Sequence, residues 1–157
     1  MKTKFQTVVI EIAAVFGMIL LIAIGAYLVP FSQEVASANP TITYMRVPVL
    51  IMSWSVLVCG IATLVMGILL LERIRKNRIF EPKSVKLLQR IGWCAYAAIL
   101  PLIALYIYTE VNVAGSITNL YVGLGMAVLF IIGLFFFMIA SLFQKAVNYK
   151  EENDLTV

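Results

Sequence analysis

The sequence contains no histidine, and its two cysteines, Cys59 and Cys94, stand 35 positions apart. The first absence removes imidazole metal sites and histidine acid–base catalysis. The second leaves no C-x-x-C pair for zinc or dithiol chemistry. No G-x-S-x-G nucleophile turn and no glycine-rich phosphate loop occur, so the chain is read as non-enzymatic and without a cofactor. Charge is scarce as well: 13% of the 157 residues are charged and 62% are hydrophobic. With a mean hydropathy of +1.00, so much apolar surface could not be hidden in a soluble domain of this length. The expectation is an all-α integral membrane protein forming one domain over 1–157.

What is present is four long apolar runs. A bilayer core of roughly 30 Å needs about 20 apolar residues of helix, and the segments at about 8–29, 47–71, 91–108 and 120–143 qualify. Backbone polar groups must be satisfied internally in lipid, so these spans are helices, and they predict a four-helix bundle. The connections would be 30–46, 72–90 and 109–119. An Ala36-Ser37-Ala38 pattern after a basic, apolar start raises the alternative of a cleaved secretory signal. That pattern lies well beyond an apolar run already longer than a usual signal core, so an uncleaved first span is expected.

The basic residues are segregated. Lys2 and Lys4 precede the first span. Seven cations (Arg73, Arg75, Lys76, Arg78, Lys83, Lys86 and Arg90) fill the middle connection, and Lys145 and Lys150 follow the last span. Only Arg46 falls on the other side. Eleven against one predicts that both termini, the basic loop 72–90 and the acidic tail 144–157 are cytoplasmic, in a multi-pass protein of the plasma membrane. Tyr27, Tyr44, Tyr106, Tyr108 and Tyr121 would form the outer aromatic belt, with Trp93 near the inner interface.

Several residues stand out against the apolar background. Glu11 lies within the first apolar run, about six residues into the helix, and an intramembrane acid is a functional hypothesis by default. Its nearness to the helix end also allows it to reach headgroups or Lys4. Glu34, Arg46 and Glu110 are the only charges at the outer rim. They are read as an Arg46–carboxylate pair fastening the loops, or as a ligand contact. In the middle loop, Glu72 and Lys76 are spaced i,i+4, so the second helix should run past the membrane. Pro82 suits a first helical turn, which leaves a short turn near 77–81. The loop carries a net charge of +5, attractive to anionic lipid, and it is too short and too close to the membrane for direct DNA binding. At the far end, acids oppose the helix macrodipole. Glu151, Glu152, Asn153, Asp154 and Leu155 should therefore leave the helix and could turn back toward the loop. Small residues at Ala13-x-x-x-Gly17, Gly123-x-x-x-Ala127, Gly60 and Gly67 suggest close helix contacts, and Cys59 and Cys94, at depths differing by roughly 15 Å, should not pair.

The stretches "RIFEPKSVKLLQRIG" and "LFQKAVNYKEENDLTV" resemble the signature regions of the YoaS-like bacterial membrane proteins, domain of unknown function 2975. The matching residues are the turn Phe80-Glu81-Pro82, the 85–92 start of the third span and the closing 151–157. The resemblance implies no established activity. It does imply a partner, a small helix-turn-helix regulator in the cytoplasm, and hence a regulatory or envelope-stress component. Arg73, Arg75, Lys76, Arg78, Phe80 and Pro82, with the tail acids, would then form a latch or docking surface. The competing reading is a small exporter or an immunity-type protein acting on membrane-active peptides or cationic compounds. It rests on Glu11, because the small multidrug transporters also place a glutamate in the first of four helices. Association into homo-oligomers fits either reading.

Overall fold

The computed structural model describes residues 2–76 and 78–154. Of residues 2–5, 153 and 154 it describes the backbone alone. Its elements are α1 (Lys2–Ala38), a short 3-10 helix (Pro40–Met45), α2 (Arg46–Arg75), α3 (Pro82–Asn112) and α4 (Ile117–Asp154). All four long helices are long and apolar enough to cross a membrane.

The helices outrun the predicted spans. The 37 residues of α1 and 38 of α4 correspond to about 55 Å each at 1.5 Å per residue, well beyond a hydrocarbon core of about 30 Å. The segment 30–46, expected as a connection, is helical through Ala38. Pro30 deprives one helical carbonyl of its donor without ending the helix. The stop comes at Asn39, whose backbone N–H and side-chain amide both donate to the Val35 carbonyl at 3.1 Å. Asn39 precedes Pro40 and takes φ −130°, ψ 77°, outside the helical region that a following proline disfavours. The connection expected at 109–119 likewise shrinks to 113–116, where Gly115 takes φ +73°, a left-handed conformation natural to glycine. The tail departs from expectation in the same direction: α4 continues as helix to Asp154 rather than releasing the acidic residues after Lys150. Leu155 lies outside the described residues.

The four helices run antiparallel and in series, each packing chiefly against the one before it and the one after it. The most apolar stretches of α1 and α2 bury none of their residues within the chain. Their exposed Ile12, Phe16, Ile19, Ile22 and Val58 are the surface that lipid would cover. The tightest seam lies between α3 and α4. Phe137 of α4 lies over Gly92, and the Tyr96 ring of α3 covers Gly133. Trp93 meets Phe137 edge-on at 5.4 Å, and Phe130 stacks on Tyr96 at 5.8 Å. Below this, Val85 and Leu88 of α3 pack on Ala140 and Val147 of α4, with Leu70 of α2 against the cluster. Between α1 and α2 the contacts are lighter: Leu64 approaches Gly17 and Leu21 approaches Gly60. Trp54 donates its indole N–H to the Gly25 carbonyl at 3.1 Å. A methyl group added at Gly67 or Gly123 would meet nothing within 4 Å, so the small size of these two residues is not used in packing. Cys59 and Cys94 are free thiols.

Gly133 has no room for a side chain, because a Cβ there would overlap the Tyr96 ring. Gly133→Ala should destabilise the detergent-solubilised protein by about 1–3 kcal/mol, the usual cost of overpacking. Gly123→Ala should be near neutral. Thermal unfolding monitored by tryptophan fluorescence distinguishes the two.

Candidate functional site at the basic end

The antiparallel order gathers the start of α1, the end of α2, the start of α3 and the end of α4 at one end of the molecule. That end carries the cations of the middle connection. Here α2 finishes tightly. The Arg78 N–H bonds back to the Arg73 carbonyl at 2.9 Å, the six-residue closure typical of a helix C-terminus. Glu72 accepts a 2.6 Å hydrogen bond from the Lys76 ammonium. That bond and the charge behind it hold the Glu72 carboxyl below its ordinary range.

The Phe80-Glu81-Pro82 turn is built from three separate contacts. Phe80 stacks on Phe143 of α4 with ring centroids 5.8 Å apart. Glu81 receives Arg73 at 3.4 Å and Arg78 at 3.8 Å. Pro82 opens α3 at a position where its missing N–H costs nothing. Behind the turn, the fully buried Ser84 donates its hydroxyl to the Arg78 carbonyl at 3.2 Å. The turn and the helix start are thereby fixed to both neighbouring helices.

Glu11 meets a partner 64 positions away. Its carboxylate lies 3.6 Å from the Arg75 guanidinium, which ties α1 to the end of α2. This partner belongs to the middle connection; the side chain of Lys4 lies outside the described residues. The pair is partly exposed, with 46% of the Arg75 side chain and 22% of the Glu11 side chain accessible.

Between α2 and α3 this end opens into a cleft of about 410 Å³ lined by Leu69, Glu72, Arg73, Lys76, Arg78, Lys83, Lys86, Leu87 and Arg90. Six cations face one acid. Arg73, Lys76 and Arg78 are engaged by Glu72 and Glu81. Lys83, Lys86 and Arg90 are exposed and make no ion pair among the described residues. They are spaced i, i+3, i+7, which puts all three on one stripe of α3. Their spacing is legible in the sequence, but the net charge of the loop does not distinguish this stripe from the other cations. Among the described side chains, none of 144–152 lines the cleft. Glu151 and Glu152 are exposed on the last turn of α4.

The charges at the opposite end do not come together. Arg46 donates through Nε to the Ser32 hydroxyl at 3.1 Å, fastening α1 to α2 through a hydroxyl rather than the expected carboxylate. Glu110 accepts from the Asn119 side-chain amide, clasping α3 to α4 across the 113–116 turn. Glu34 is exposed. Tyr44 completes the rim by donating to the Asn112 side-chain carbonyl at 2.7 Å.

Four apolar helices capped by segregated charge define an integral membrane protein. The chain belongs to the family described as "Protein of unknown function (DUF2975)", whose profile matches residues 31–157. It is also similar to the uncharacterized membrane protein YoaS of Bacillus subtilis (strain 168), at 30% identity over 98% of this chain and 99% of that protein. No solved structure matches the chain. The profile begins after Glu11, so the Glu11–Arg75 pair joins a residue outside the matched segment to one inside it.

The Glu11–Arg75 pair should contribute little to stability, about 0–1 kcal/mol, given its exposure. A double-mutant cycle with Glu11→Gln and Arg75→Gln, read by thermal unfolding, should give a coupling energy in that range.

Proposed function

We propose that this protein is a non-enzymatic regulatory component of the bacterial plasma membrane whose basic end faces the cytoplasm. There it holds a small DNA-binding regulator at the membrane. The observation that carries this reading is the form of α4. Val147 is buried against Val85 and Leu88, and α4 then continues as a helical stem to Asp154. Its last described turn presents Glu151 and Glu152 to solvent. A stem of this kind acts as a handle for a partner rather than as a latch over the basic cleft. The charge segregation supports the cytoplasmic placement. The turn supports the docking role, because Phe80 ties the start of α3 to α4 beside the stem while Glu81 ties it to Arg73 of α2.

The exporter reading is weaker on this geometry. Its proton-carrying candidate, Glu11, is paired with Arg75 at the basic end, whereas a coupling site is expected near the middle of the bilayer.

The test is crosslinking in native membranes from a photoreactive residue at the exposed position 149, in the full-length protein and in a variant lacking 151–157. The regulatory reading predicts capture of a small DNA-binding protein, lost on deletion, with the thermal stability of the deleted variant unchanged. Capture that survives the deletion, or a deletion that lowers stability without affecting capture, would contradict the handle and favour a latch.

A further inference from the structure

The cleft between α2 and α3 has properties that docking through the α4 stem does not use. We propose that it is a binding site for the phosphate of an anionic phospholipid, seated at the boundary between the acyl region and the headgroups. Three observations define the ligand chemistry. First, the walls carry Arg73, Lys76, Arg78, Lys83, Lys86 and Arg90 against Glu72 alone, so the cavity selects an anion. Second, Lys83, Lys86 and Arg90 are exposed and make no ion pair among the described residues. Their stripe spans about 10 Å along the α3 axis, and its upper end is the first turn of α3, whose amide groups add positive potential. Third, the same cavity is lined by Leu69 and Leu87. Leu69 belongs to the last apolar turns of α2, so the cleft begins where the apolar run ends.

A cavity with leucines on one side and ammonium and guanidinium groups on the other suits an amphiphile with a phosphodiester head. A free phosphate compound would use only the cationic part of the lining. The volume of about 410 Å³ accommodates a headgroup and glycerol backbone while the acyl chains remain in the bilayer beside α2 and α3. Basic pockets between membrane helices on the cytoplasmic side are suited to anionic headgroups in this way. The cleft is independent of the regulator: a lipid site could exist whether or not the α4 stem docks a partner.

The full-length protein, reconstituted in phosphatidylcholine nanodiscs, can be titrated with dioctanoyl phosphatidylglycerol, dioctanoyl phosphatidylcholine and inorganic pyrophosphate, with binding read by microscale thermophoresis. The wild type should bind the anionic lipid in preference to both other probes. The K83Q/K86Q/R90Q variant should lose about a hundredfold in affinity, each basic residue near an anionic surface contributing about a factor of five. Because all three side chains are exposed, its thermal unfolding should match that of the wild type; the single variant Lys86→Gln, losing about fivefold, provides the same reading if the triple variant proves unstable. K145Q/K150Q, which removes two cations at the same end but outside the cleft, should bind as the wild type does. Equal binding of the two lipids, tighter binding of pyrophosphate than of the anionic lipid, or an equal loss in K145Q/K150Q would overturn the assignment.

Discussion

The α3–α4 seam is the contact on which the remaining structure depends. Each helix supplies one glycine and one aromatic ring to the other: Phe137 rests on Gly92, and Tyr96 rests on Gly133. In lipid there is little hydrophobic force between helices, so association relies on close packing and dispersion. Removing two side chains from the interface lets two large rings fill the space, and Trp93 and Phe130 extend the contact sideways. The seam sets the register of α3 against α4. That register places Val147 in the pocket formed by Val85 and Leu88, and so decides where the α4 stem leaves the bundle.

From that register follows the construction of the basic end. The Phe80 ring can reach Phe143 only because α4 is held at this height along α3, and with Phe80 placed, Glu81 lies within reach of Arg73 and Arg78. Arginine and glutamate there neutralise one another in a short turn. The cations of α3 remain in the open. The result is a division of labour among cations that composition treats alike: some close the turn, one anchors α1 through Glu11, and Lys83, Lys86 and Arg90 line the cleft with no ion pair among the described residues. α1 is held more lightly than the other helices, by small-residue contacts, the Trp54 and Arg46 hydrogen bonds and this partly exposed pair.

Much of the architecture was legible from residue order. Four apolar runs gave four helices, Pro82 marked the start of α3, and the i,i+4 spacing of Glu72 and Lys76 correctly extended α2 beyond its span. Helix ends were less legible. Span counting follows apolar residues, whereas the hydrogen bonds of α1 continue through Pro30 to an asparagine stop, and those of α4 continue through an acidic turn that the macrodipole disfavours. Partners distant in sequence were not legible. Nothing local assigns Arg75 to Glu11, or a serine hydroxyl to Arg46. The glycine patterns show the same limit. Gly17 and Gly60 do lie at an interface and Gly123 does not, while Gly92 and Gly133 matter most and become recognisable only when the facing rings are known.

The central claim is that the basic end, with its cleft and its acidic stem, faces the cytoplasm. It is tested most directly by labelling single cysteines in intact cells with a membrane-impermeant maleimide, in a background carrying Cys59→Ala and Cys94→Ala. Glu34→Cys should label in intact cells, and Glu151→Cys should label only after the membrane is permeabilised. Labelling of Glu151→Cys in intact cells with protection of Glu34→Cys would contradict the account.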